Sequence, residues 1–162
     1  MNGDFDMESP DRFTVGTSGP VGQRLFLLHV EQGPASVTLK VEKLQVAELA
    51  DVLGRIVREL GRPGELPEDL DFDVGVEPAW AVGKISISYD GDTDRLVVIA
   101  EEVGDGGTVA RMLVTREQAA AFAIRATRLV EAGRPPCPLC GLPLDPSGHA
   151  CPRTNGHRPP AR

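Results

Sequence analysis

Cysteine is scarce in this chain, and its three copies, Cys137, Cys140 and Cys151, are all close to the carboxyl end. An odd number of thiols, with no export signal upstream, fits a disulfide framework poorly. Aromatic residues are few: five Phe, one Trp and one Tyr. The core must therefore be aliphatic side chains and alanine. No apolar run approaches the roughly 18 residues that a bilayer span requires. The opening residues, Met1 to Glu8, are acidic and lack the positive n-region of a secretory signal. The expected compartment is cytoplasmic, and no membrane partner is expected. Ahead of the cysteine segment His29 is the only histidine, so no cysteine–histidine nucleophile and base can form there. Serine, lysine and carboxylate chemistry stays open, because residues distant in sequence can meet in space.

Charge is unevenly placed. The chain carries a net −7, yet from Arg134 onward four arginines (134, 153, 158 and 162) face one acid, Asp145. That segment is +3, which leaves −10 for the preceding body. An acidic body repels the phosphates that drive non-specific nucleic-acid binding. Contact with nucleic acid is confined to the basic tail, through Arg153 and Arg158.

The cysteines form the most specific motif. Cys137-Pro-Leu-Cys140 sets two thiolates on one turn, with Gly141 allowing the backbone to fold tightly behind them. His149 and Cys151 lie two apart, on one side of an extended segment. Pro143, Pro146 and Gly148 stiffen and turn the loop between the pairs. Three thiolates and one imidazole complete the tetrahedron that Zn²⁺ prefers, with no position left for water or substrate, which marks a structural site. The predicted ligands are therefore Cys137, Cys140, His149 and Cys151, with His157 the rival fourth ligand. A redox Cys-x-x-Cys would open a helix, which Arg134-Pro-Pro136 and Pro138 oppose.

Residues 1–9 read as a disordered terminus. Strand patterns follow at 12–17, 24–31 and 37–41, separated by Gly- and Pro-containing turns. Val46, Leu49, Ala50, Leu53, Ile56, Val57 and Leu60 then form one helical stripe, stopped by Gly61 and Pro63. Residues 62–78 are rich in proline and acid and read as a solvated linker.

After that the pattern repeats. Trp80-Ala-Val-Gly83 mirrors Phe13-Thr-Val-Gly16, and Arg95 to Ala100 mirrors Arg24 to His29. A shift of 73 positions carries the first helical stripe onto Ala119, Phe122, Ala123, Ala126, Leu129 and Val130, with only Leu60 falling on a non-matching Gly133, and carries Gln45 onto Gln118. Thr115-Arg-Glu-Gln118 is a capping box. The predicted fold is α+β. It comprises two duplicated βββα units, residues 10–61 and 79–133, merged into one antiparallel sheet with both helices on one face. A zinc knuckle and basic tail, residues 134–162, follow. A shared core is favoured because two separate units of this size would be marginal.

Other signals carry less. Asp90-Gly-Asp-Thr-Asp94 with Glu101 has some EF-hand spacing, but Arg95 occupies the position that needs glycine. Gly104-Asp-Gly-Gly107 is glycine-rich without a following helix to hold an anion. His29, aligned with Ala100 of the repeat, reads as a hydrogen-bonded interior residue.

With these residues in view, the chain resembles a bacterial family of uncharacterised proteins, domain of unknown function 3090. The resemblance rests on Pro10-Asp-Arg-Phe13 with Gly16-Thr17, Glu42-Lys43 with Gln45-Val46, Ala132 through Cys140, and Leu144 through Gly156. It covers about residues 10–158 and implies a bacterial cytoplasmic protein, with no activity to carry over.

The leading expectation is a non-enzymatic interaction or scaffold protein, partnered by another protein and braced by structural zinc. The alternative is an enzyme or small-ligand-binding protein with a pocket between the repeats, where Arg12, Arg24 or Lys43 would meet an anion. The third reading is nucleic-acid contact through the basic tail. A polar pocket at the junction would favour the second, and an apolar surface near the knuckle the first.

Overall fold

The computed structural model describes residues 4–20, 22–61 and 63–132. Their order is β1 (Phe5–Met7), β2 (Arg12–Ser18), β3 (Leu25–Gln32), β4 (Ala35–Val41), α1 (Lys43–Leu60), β5 (Val82–Asp90), β6 (Arg95–Glu102), β7 (Val109–Val114) and α2 (Arg116–Ala132). Three strands followed by a helix occur twice, as the repeated pattern predicts.

The sheet arrangement differs from the single merged sheet expected. β2-β3-β4 form one antiparallel sheet, and β1-β7-β6-β5 form another. They meet at a short parallel seam, where Lys40 bridges Ala81. There Lys40 N–H donates to Trp80 O at 3.0 Å and Ala79 N–H to Thr38 O at 2.8 Å. A bulge between Val82 and Lys84 ends the seam. A Cβ on Gly83 would come within 2.9 Å of the Val103 backbone, so only glycine tolerates this approach. A bulged strand bends and twists, which carries β5 away from β4 before a full ladder forms.

Two further expectations are corrected. Phe5–Met7, within the terminus read as disordered, pairs parallel with β7, and Met7 is buried. The repeat alignment of β3 with β6 is also one residue out. Phe26, Leu28 and Val30 face the core on β3, and Leu96, Val98 and Ala100 do so on β6. Ala100 thus corresponds to Val30, and His29 falls on the opposite face. A slip of one residue exchanges the two faces of a strand.

One apolar cluster joins both sheets and both helices. Phe13 stacks on Phe122 with centroids 4.5 Å apart, linking β2 to α2, while Leu53 and Val98 are fully enclosed. The packing crosses between halves, with α2 lying against β2 and α1 reaching β5.

A reciprocal polar contact fixes this crossing. Gln118 Oε1 accepts from Thr115 N–H at 3.0 Å while its Nε2 donates to Pro10 O at 2.7 Å. Gln45 Oε1 accepts from Glu42 N–H at 2.8 Å while its Nε2 donates to Val82 O and Gly83 O at 3.1 and 3.3 Å. The shift of 73 that relates the two glutamines also relates Pro10 to Gly83, so the sequence pairing of Trp80–Gly83 with Phe13–Gly16 is displaced: opposite Val30 and Ala100 stand Phe13 and Ile85. Each helix therefore caps its own start and ties itself to the start of the other half's first strand.

Candidate functional site

The predicted zinc ligands Cys137, Cys140, His149 and Cys151, and the rival His157, lie outside the described residues. The candidate anion-binding residues are separated. Arg24 and Lys43 line one cleft of about 430 Å³ at the start of α1, together with Lys40. Arg12 is engaged elsewhere. It donates to Glu31 Oε2 at 2.9 Å and to Asp69 Oδ2 at 2.7 Å, with its Nε on Asp69 O at 3.2 Å.

The contacts of Arg12 belong to a polar cluster on the outer face of β2-β3-β4. Thr14, His29 and Thr38 are adjacent there because β3 pairs Thr14 with His29 and His29 with Thr38. His29 Nδ1 lies 2.7 Å from Thr38 Oγ1, and Nε2 lies 2.7 Å from Glu31 Oε2. An ionised carboxylate only accepts, so Nε2–H donates to Glu31, and in the neutral ring Nδ1 accepts from the threonine hydroxyl. The His29 hydrogen bond holds the Glu31 carboxyl below its ordinary range; burial opposes this and Arg12 reinforces it.

Hydroxyl, imidazole and carboxylate in series resemble a nucleophile, its base and an orienting acid. Access decides against that chemistry here. Thr38 is 5% exposed and Thr14 fully buried. The segment expected to be a solvated linker crosses this face. Phe72 stacks on His29 at 4.4 Å with rings 2° from parallel. Thr14 Oγ1 donates to Leu70 O at 2.7 Å. Asp71 pairs with Arg125 at 3.1 Å. Gly16 leaves room for Phe72, since a Cβ there would stand 2.8 Å from the ring. The cluster clamps a strap over the sheet.

A groove of about 740 Å³ lies between α1 and α2, at the junction of the two halves. Its origin is a pair of small-residue faces that overlap the edges of the two core stripes. Ala47, Ala50 and Gly54 on α1 oppose Ala120, Ala123 and Thr127 on α2. A Cβ on Gly54 would lie 3.8 Å from Ala123 Cβ, so the helices touch there without large side chains to fill the space above. Pro63 and Leu66 wall one side, and Asp51, Arg58, Arg128 and Glu131 supply the polar rim. Ile124, on the lip, is 45% exposed. The sequence held this signal in the alanines flanking the second stripe, but the stripe itself drew the assignment to the core.

The elements define an α+β protein in which two βββα halves share one core and leave an apolar cleft between their helices. The chain belongs to the family described as Protein of unknown function (DUF3090), whose family model matches residues 5–151. That span takes in Cys137, Cys140, His149 and Cys151. A search of curated proteins found no match. Among the described residues no helix is long and apolar enough to cross a membrane.

Proposed function

We propose that this protein is a non-enzymatic interaction or scaffold protein. It docks another protein through the α1–α2 groove and a carboxyl-terminal arm braced by structural zinc on Cys137, Cys140, His149 and Cys151. The observation that carries this reading is the placement of the groove. It is apolar-floored, lies at the junction of the halves, and reaches Val130 and Glu131, a few residues before Cys137. Zinc would organise a loop too short to hold its own shape. The acidic body supports a protein partner over nucleic acid, and the cytoplasm is the compartment in which free thiolates persist for metal.

The test is affinity capture from cell extract with three full-length baits: wild type, Cys137→Ser/Cys140→Ser, and Ala123→Arg in the groove. Loss of the same partner from both variants is the expected result. Retention of every partner by both variants would overturn the proposal.

One observation favours a second reading. The groove volume falls within the roughly 300–1,000 Å³ of small-molecule sites, so an apolar ligand bearing one charged group would suit it. A small molecule that co-purifies with wild type but not with Ala123→Arg would establish that alternative.

A further inference from the structure

We infer that the groove is a seat for the chain's own carboxyl-terminal arm, residues 135–144, so that an outside partner must compete with it. The inference rests on the proposed role of the groove and names what fills it before a partner arrives.

Three observations converge. The first is position. Helix α2 ends at Ala132, and Val130 and Glu131 already form the groove's edge. The groove runs back along α2 to Ala120, a length of about 16 Å at 1.5 Å per helical residue. About five extended residues span that distance, and thirty residues of chain follow Ala132.

The second is composition. From Pro135 to Leu144 every residue is proline or leucine except Cys137, Cys140 and Gly141. No charge interrupts this stretch. Prolines lack the N–H that apolar surroundings would leave unpaired, and the three leucines match a floor of alanine and glycine that offers space above it. Seating such a run in the apolar groove removes both from water.

The third is charge. The segment from Arg134 onward is +3 and the body −10, so the arm is drawn back to the body it leaves. A partner inserting an apolar segment gains only the difference between its own fit and that of the arm.

Photo-crosslinking of the full-length chain tests this, with Ile124 at the groove lip replaced by p-benzoylphenylalanine. Zinc content is measured on the same sample. Irradiation is expected to join the tryptic peptide 117–125 to peptide 129–153, with the adduct mapping to residues 135–144 and a yield unchanged on serial dilution. Leu139→Asp with Leu142→Asp should lower the yield roughly tenfold or more by putting carboxylates into an apolar seat. Adducts confined to a second copy, with a yield that falls on dilution, would overturn the inference. So would absence of adducts at 135–144, or a yield unaffected by the two aspartates. Zinc present without the adduct sinks only the self-docking. The adduct without zinc upholds self-docking and removes the metal from the proposed function.

Discussion

Gly16 and Phe72 show how one missing methyl sets the course of a whole segment. The ring of Phe72 needs the space that a Cβ on Gly16 would take, and its stacking on His29 holds the strap in place. Gly16→Ala is expected to destabilise by about 1–3 kcal/mol through overpacking, measured by urea unfolding. In a Phe72→Ala background the same change should cost much less, because the clashing ring is gone. Equal costs in both backgrounds would mean that the ring does not occupy that space. Glu31 gives a pH signature at the same site. Its folded carboxyl titrates below the ordinary value of 4.5, mainly through the His29 hydrogen bond. A depressed folded value means that the contribution to stability is present above the unfolded value and is lost as pH falls through the folded one. Unfolding free energy measured from pH 6 downward should therefore decline below about 4.5. Glu31→Gln should flatten that part of the decline.

At the scale of elements, the helices are held as much by their first turns as by their stripes. Gln45 and Gln118 each bond their own cap residue and the start of the opposite half's first strand. Gln45→Ala and Gln118→Ala should each cost about 1–2 kcal/mol, since each leaves a backbone carbonyl and a cap N–H without these partners. Denaturant midpoints check this, and a negligible effect from both would show that the ties do not hold the halves together. The helices, their limits and the Thr115 capping box were legible in the sequence, because a 3.6-residue stripe with caps has few rivals. The strap was not. Asp69, Asp71 and Asp73 read as a solvated charge run, and nothing local shows that Arg12 and Arg125 approach two of them from distant strands and helices. His29 is a hydrogen-bonded interior residue as expected, but its alignment with Ala100 was one residue out for a related reason. Its run is apolar on both sides, so alternation is absent, and only pairing with Thr38 and Thr14 shows which way it points.

For the molecule as a whole, the crossed packing makes each half depend on the other. Phe13 of the first half rests on Phe122 of the second, and the α1–α2 contact joins the helices over Gly54 and Ala123. Unfolding should therefore be a single transition, with Trp80 fluorescence, which reports the seam between the sheets, coinciding with far-ultraviolet circular dichroism. Two separated transitions would mean that the halves fold independently. The recurrence of three strands and a helix was readable from the two helical stripes, and the two halves share one core. The break into two sheets was not, because it depends on Gly83 meeting the Val103 backbone across a bulge. The groove lies where small residues of the two helices face each other.

The proposed function depends on what the three cysteines hold. Elemental analysis of the purified full-length protein, beside Cys137→Ser/Cys140→Ser, tests it most directly. One equivalent of zinc per wild-type chain, lost in the variant, is the predicted result. Wild-type protein carrying no stoichiometric zinc would contradict it.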